Sequence, residues 1–454
     1  MMKLFAERIL LSSGWKTQQT LTIENGVITA IASGYIDGAE KVGVVIPGMV
    51  NCHSHAFQRA FAGFSEQGSE GQDSFWTWRH VMYKFIDQLT VNDAEIIATQ
   101  LYIEMLKMGY TRVAEFHYLH HQINGDNHDE LAEMAKAIFK ASQQSGIGLT
   151  LLPVLYRFSG FGPLPANDGQ KRFINSVEQF NQLVSDCFTL SAKYQNTNIG
   201  IAPHSLRAVD KPSLEQAVKH VRDLDNKAPV HIHIAEQQKE VDDCLAHYGQ
   251  RPVEWLLNNA ALDQQWCLIH ATHINEQERQ GLIVSKAIAG ICPTTEANLG
   301  DGIFPTTEFL AEQGTLAIGS DSHISVNPVE ELRWLEYAQR LIKQQRAILA
   351  TENEPSVGRN LWQKAALGGA QSTNSNTGEL AVGKQADLLV LNAKKVALFA
   401  HHDQHLLDSM IFASQQNMVH DVMVNGHWVI KAGAHHLEQQ SEQAFSKLLA
   451  SLST

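Results

Sequence analysis

From residue 48 onward the chain alternates between short apolar runs and longer stretches whose apolar residues recur at helical spacing. The runs are "VVIPGMVNCHSH", "YTRVAEFHYLH", "IGLTLLPVLYR", "NIGIAPHSLR", "PVHIHIAEQ", "WCLIHATH", "AIAGICPTTEAN" and "LAIGSDSH". Each ends in polar residues. Stretches such as "VNDAEIIATQLYIEMLKMG", "DELAEMAKAIFKASQQSG" and "SLEQAVKHVRDLDN" lie between them, and several close on glycine, as helices often do. Eight strands alternating with helices predict an α/β fold, a (β/α)8 barrel of the TIM type. A doubly wound sheet shares the alternation, and the count alone does not separate the two.

The flanks follow another pattern. "TLTIENGVITAI" alternates apolar and polar residues around Asn25-Gly26, a hairpin signal. "DLLVLNAKKVALF" and "DVMVNGHWVIKAG" read similarly, the latter around Asn425-Gly426. The expectation is one small β-domain built from both termini, 1–47 plus 380–454, beside a barrel over 48–379.

Composition narrows the function. With 454 residues, 44% of them hydrophobic, the chain can bury a large core and more than one domain. A formal charge of −13 argues against nucleic acid and against an anionic membrane as partners. The N-terminal "MMKLFAERILLSSGW" has no long apolar run, so neither a signal peptide nor a membrane helix is expected there. Cys52, Cys187, Cys244, Cys267 and Cys292 are few, odd in number and scattered, which suits reduced thiols in a cytoplasmic protein. Among the 22 histidines, His401, His402, His435 and His436 sit in polar surroundings and are expected to face solvent.

In barrels of this type the chemistry lies at the C-terminal ends of the strands. Alternate side chains of a strand share a face, so His53 and His55 point together and Ser54 points away. The fifth run adds His231, His233 and Glu236, the sixth His270 and His273, the eighth Asp321. A catalytic zinc site needs a few nitrogen and oxygen ligands and one open position. His53, His55, one fifth-strand histidine and Asp321 would meet that need, and only a closed barrel brings strand one beside strand eight. Taken singly, each has a plainer reading: polar loop residues for the histidines, a solvated carboxylate for Glu236, a helix cap for Asp321.

These residues carry a resemblance to the amidohydrolase superfamily, whose signature is His-x-His after strand one, histidines on strands five and six, and aspartate on strand eight. "GELAVGKQADLLVL" (378–391) resembles that family's return into a flanking β-domain. "NCHSHAFQRAFAG", "FWTWRHVMYKF", "EFHYLHH", "PHSLRAV" and "HIHIAEQ" are similar to the branch that deiminates N-formimino-L-glutamate to N-formyl-L-glutamate and ammonia in histidine degradation. The resemblance spans essentially the whole chain. It implies His53, His55, His233 and Asp321 as metal ligands and Glu236, His270 and Asp321 as catalytic residues. It further implies Gln58, Arg79, Tyr118, His204 and Arg207 as substrate contacts. His231 is then a deeper structural residue, and His270 rather than His273 acts on strand six. Two-metal members carry a bridging lysine on strand four. No lysine lies in "LTLLPVLYR" or "NIGIAPHSLR", which implies a single divalent metal, Zn2+, with Fe2+ left open by ligand type.

The implied substrate is a small-molecule dicarboxylate with a cationic amidine. A chain of charge −13 must hold its carboxylates with local cations, and arginine suits that through bidentate bonds. Against this stand a surface Arg79 stacked on Trp76 or Trp78 and an Arg207 spent on a barrel salt bridge. A one-residue register error exchanges Tyr118 with His117. Competing expectations are a deaminase or chlorohydrolase acting on a purine, S-adenosylhomocysteine or a triazine-like ring, and a non-catalytic metal-binding barrel. A homodimer is left open.

Overall fold

The computed structural model of the chain describes residues 1–64, 66, 75–392, 394–395 and 403–452. The N-terminal flank forms β1 (Met2–Leu11), β2 (Gly14–Glu24), β3 (Val27–Ser33) and β4 (Glu40–Pro47). Asn25 and Gly26 have φ of 50° and 80°. Two positive values in succession are what a type I′ hairpin needs, and β2 pairs antiparallel with β3 across them.

The eight apolar runs become eight strand positions. They are β5 (Met49–Ser54), β6 (Tyr110–His117), β7 (Gly148–Leu155), a fourth split into β8 (Thr197–Ile199) and β9 (Ala202–Pro203), then β10 (Val230–Ile234), β11 (Trp266–His270), β12 (Ile288–Ile291) and β13 (Thr315–Ile318). β5 to β8 are parallel neighbours in order, and so are β10 to β13. Two parallel bridges close the ring, Ile201 to Val230 and Ser54 to Asp321. The fourth position splits at Gly200, where a Cβ would stand 2.3 Å from the Pro229 carbonyl oxygen, so the chain there is pressed against the approach to β10. β5, β6, β7, β10, β11 and β12 are buried at every residue. Helices cover such a parallel sheet outside and side chains fill it inside, which is why its strands read as near-continuous apolar runs.

Between the strands, helix Val91–Met108 starts at a reciprocal Thr90–Asp93 cap and stops at Gly109, whose φ is 105°. Helix Val357–Ser372 crosses the seam where β13 meets β5. A Cβ on Gly368 would lie 1.9 Å from the Leu316 carbonyl oxygen, and one on Gly369 would lie 2.7 Å from Val50 Cβ. Gly368→Ala is therefore expected to force helix and seam apart and to lower stability by about 1–3 kcal/mol, as overpacking does. A lower denaturant midpoint at unchanged slope is the readout, and an unchanged midpoint contradicts it.

The C-terminal flank returns as β14 (Leu388–Leu391), β15 (Val419–Val424) and β16 (His427–Ile430). β14 lies antiparallel to β4, Val390 opposite Val45, giving one sheet in the order β16-β15-β14-β4-β1-β2-β3. Leu4, Ile9, Leu21, Val45, Leu388 and Met423 share its core. Asn425 and Gly426 form the second hairpin, with φ of 47° and 76°. The "DLLVLNAKKVALF" segment is a strand only over its first part: Lys394 and Lys395 are helical, and 393 and 396–399 lie outside the described residues. Helix Glu438–Leu452 packs on helix Val91–Met108, with a Lys107–Glu438 ion pair.

That packing corrects one expectation. His435 does not face solvent: it is 4% exposed, with Nε2 3.0 Å from the Ser145 carbonyl oxygen. It sits where the last helix docks on the barrel, a tertiary contact that polar neighbours in sequence cannot reveal. His436 is exposed, and His401 and His402 lie outside the described residues. All five cysteines are buried and unpaired. Among the described residues no helix is long and apolar enough to cross a membrane.

Candidate active site

At the C-terminal ends of the barrel strands, His53, His55, His233 and Asp321 bring one donor atom each within 4.8 Å of one another. His53 Nε2 lies 2.9 Å from His233 Nε2, and Asp321 Oδ1 lies 3.3 Å from both His53 Nε2 and His55 Nε2. All four residues are buried. Burial, then the neighbouring His55, lowers His53 to about 3, so its imidazole is neutral. For Asp321, burial opposes ionisation, but the hydrogen bond with His53 and the charge of His270 hold its carboxyl well below the usual range. His55 Nδ1 lies 2.9 Å from the Phe116 carbonyl oxygen and donates to it, which leaves the Nε2 lone pair facing the cluster. Neutral imidazole nitrogens converging with a carboxylate oxygen fit a divalent cation.

Hydrogen bonds tie the two arms of this cluster together from behind. The Asn51 carbonyl Oδ1 accepts from the backbone N–H of His53 at 3.3 Å and of Ser320 at 3.1 Å. The His55 backbone N–H donates to His323 Nε2 at 3.2 Å, so that nitrogen carries a lone pair and Nδ1 the hydrogen, donated to Ser320 Oγ at 3.0 Å. Asp321 and His323 both have positive φ, 47° and 59°. The turn after β13 is held in a conformation that such residues rarely adopt.

His270 stands beside the cluster. Its Nε2 is 3.8 Å from Glu236 Oε1 and 3.8 Å from Asp321 Oδ2, and its Nδ1 is 3.3 Å from Glu296 Oε1. Burial works against the imidazolium, but Glu236, Glu296 and Asp321 outweigh it and raise His270 to about 10. Glu236 is raised to about 7, by burial first, with His270 pulling the other way. Near neutral pH His270 is therefore held as the imidazolium, beside a Glu236 carboxyl that can gain or lose its proton there. His231 turns down to the Ser372 carbonyl oxygen, 2.7 Å from Nε2, and His273 turns out to the Asp301 carbonyl oxygen at 2.8 Å.

One cavity joins this cluster to all five residues implied as substrate contacts, Gln58, Arg79, Tyr118, His204 and Arg207. Gln58 Nε2 donates to the Tyr118 hydroxyl at 3.1 Å. Tyr118 lines the cavity and His117 does not. Arg207 is buried, and although burial opposes its charge, Glu240, Tyr156 and Glu236 keep it protonated. The cavity also takes in Met82, Tyr83, Tyr156, Phe173 and Leu299, which sequence reasoning did not single out, and Trp78, which it weighed only as a stacking partner of Arg79. Some had a signal. Tyr83 follows Arg79 by one helical turn within the helix Phe75–Ile86, so the two share a face. Tyr156 ends the third apolar run, at the level of the chemistry.

This architecture and site are those of a metal-dependent hydrolase barrel, and the chain belongs to the amidohydrolase family, whose sequence profile matches residues 44–429. It is 49% identical over 455 residues to the formimidoylglutamate deiminase of Pseudomonas aeruginosa, covering 100% of both chains. Among solved structures it superposes on an amidohydrolase from Brucella melitensis with a TM-score of 0.95 and 44% identity, covering 100% of both chains. An adenosine deaminase from Xanthomonas campestris with bound zinc shares the fold, at a TM-score of 0.80 and 19% identity over 99% of this chain and 98% of that one.

Proposed function

We propose that this chain is a cytoplasmic enzyme that hydrolyses N-formimino-L-glutamate to N-formyl-L-glutamate and ammonia. The observation that carries the reading is a single cavity with the histidine–aspartate cluster at one end and Arg79 and Arg207 in its wall, in a chain 49% identical end to end to a formimidoylglutamate deiminase. Two guanidinium groups match two carboxylates. A neutral purine or triazine ring offers those guanidinium groups no carboxylate for a bidentate, charge-assisted bond.

His53, His55, His233 and Asp321 would hold one divalent cation, most simply Zn2+, with Fe2+ compatible with the same ligand types. Bound there, the cation would bring the pKa of a water toward neutrality and polarise the substrate. The remaining steps fall to the chain. Asp321 accepts the proton of the attacking water. Glu236, protonated in part near neutral pH because burial raises it to about 7, delivers a proton to the imino nitrogen. His270, held by Glu296 at Nδ1, presents Nε2 to the charge that develops as water adds to the formimino carbon. As the tetrahedral carbon collapses, the proton held by Asp321 passes to the terminal nitrogen and the hydroxyl proton returns to Glu236; the bond to that nitrogen breaks, ammonia leaves, and both carboxyl groups are restored. Arg79, Arg207, Gln58, Tyr118 and His204 fix the two carboxylates and so orient the carbon for attack. The division into a barrel over 48–379 and a composite unit of 1–47 and 380–454 belongs to the same proposal.

Product analysis tests which bond breaks. With the substrate labelled at the formimino carbon, the 13C spectrum should show N-formyl-L-glutamate. Labelled formamide would mean cleavage at the amino-acid nitrogen and would contradict the mechanism.

Elemental analysis should find one tightly bound metal per chain, and a stoichiometry near two would sink the single-metal assignment. His323→Phe keeps the ring volume but loses the acceptor for His55 N–H and the donor to Ser320. Metal affinity is expected to fall about 10–100-fold, the usual effect of losing an outer partner of a metal site. Competition with a chelating dye reads this directly, and wild-type affinity would show that the buried network does not hold the ligand arms.

A further inference from the structure

Tyr83 and Tyr156 line the same cavity, and neither belongs to the histidine–aspartate cluster. A ladder of rings joins that cluster to Tyr156: His233 to His204, with centroids 4.9 Å apart, then His204 to Tyr156, 4.5 Å apart. Tyr83 carries the Arg79 guanidinium over its ring, 5.6 Å from the centroid. Tyr156 is 3% exposed and Tyr83 9%, so their hydroxyls need partners within the protein or its ligand.

Gln170 partners both. Its Oε1 accepts from the Asn167 backbone N–H at 3.0 Å, which fixes which way round the amide lies. Its Nε2 therefore faces the tyrosines and donates to the Tyr156 hydroxyl at 2.8 Å and, more loosely, to the Tyr83 hydroxyl at 3.5 Å. Gln170 is wholly buried. A hydroxyl that accepts from an amide must send its own hydrogen elsewhere. Among the described residues neither hydroxyl donates to a protein acceptor. Burial, then the neighbouring Tyr156, pushes the Tyr83 hydroxyl up, so it keeps its hydrogen. The two guanidinium groups that line this cavity, Arg79 over the Tyr83 ring and Arg207 beside Tyr156, are themselves pure donors. Two aimed O–H groups beside two guanidinium groups are complemented by an acceptor-only anion, and a carboxylate is one.

We propose that Tyr83 and Tyr156 bind the side-chain carboxylate of the substrate beside Arg79 and Arg207, and that Gln170 is the positioning residue that aims both hydroxyls at it. The side-chain carboxylate is assigned because it is the part of the substrate farthest from the reacting carbon. The inference rests on the functional reading above and adds three residues to it.

The test compares two substrates. N-formimino-L-norvaline keeps the chain length of the glutamate compound and lacks only the side-chain carboxylate. Tyr156→Phe, Tyr83→Phe and the double variant, with metal content checked, should lower kcat/KM for N-formimino-L-glutamate about 10–100-fold, the range for hydrogen bonds to a charged group. The loss should lie in KM, and kcat/KM for the norvaline compound should stay as in wild type. Gln170→Leu should lower the same ratio by freeing the hydroxyls to rotate. Equal losses on both substrates would mean that the tyrosines only pack, and no loss on either would remove them from binding; both results overturn the proposal. An unchanged ratio in Gln170→Leu overturns its positioning role. If wild-type protein releases no ammonia from N-formimino-L-glutamate, the functional reading itself has failed, a result distinct from a silent tyrosine in an active enzyme.

Discussion

Replacing Glu236 by glutamine is expected to lower kcat about 10²–10⁴-fold, the span of a general acid or base, while the metal stays bound. The amide keeps the shape of the side chain and can still meet the surrounding donors. It cannot carry the proton that the carboxyl exchanges near neutral pH. The placement makes the effect specific. Glu236 Oε1 is 3.8 Å from His270 Nε2, and Glu236 is not one of the four residues whose donor atoms converge as a metal site. Metal content of the variant should therefore match wild type. A near wild-type rate with metal retained would take Glu236 out of the mechanism.

Arg207→Met is expected to cost about 2–5 kcal/mol in kcat/KM for N-formimino-L-glutamate, the range for removing one partner of a desolvated charge pair. Methionine preserves the stem and removes the fork. The guanidinium is buried among Glu240, Tyr156 and Glu236, so the variant also leaves Glu240 and Glu236 without a cation that lowers both. For that reason the measurement needs a reference substrate lacking the carboxylates. Loss on the dicarboxylate alone supports gripping by Arg207. A kinetically silent variant would sink its role in binding.

Much of this fold is legible along the chain because parallel strands buried on both faces leave an unmistakable trace. Each of the eight apolar runs is a strand position, and the polar residue at the end of each run is where the barrel opens. Both Asn-Gly turns are legible for a local reason: few other residue pairs hold two positive φ values in succession. Tyr83 leaves a fainter trace. It reads as one more residue of an amphipathic helix, one turn after Arg79, and only packing shows that this helix face looks into the cavity. Gln170 is hidden more deeply. It lies in a loop with no period, and what singles it out is a hydrogen bond from Asn167 and two tyrosine hydroxyls, one of them 87 residues away in sequence. His435 failed through tertiary override, since its ring packs against the Ser145 carbonyl oxygen, 290 residues away in sequence. The metal cluster sits between these extremes. His53 and His55 are adjacent by strand period, but the partnership with Asp321 exists only because the ring closes between β5 and β13.

The most direct test of the account is a set of kcat/KM values for ammonia release by the metal-loaded wild-type protein from N-formimino-L-glutamate, N-formimino-L-aspartate, guanine, adenosine and S-adenosylhomocysteine. N-formimino-L-glutamate should lead by orders of magnitude. The aspartate compound should fall well behind, because shortening it by one methylene pulls a carboxylate off its partner, and the rings should show little or no turnover. A purine that outpaces N-formimino-L-glutamate would contradict the central claim while leaving the barrel and its metal cluster standing.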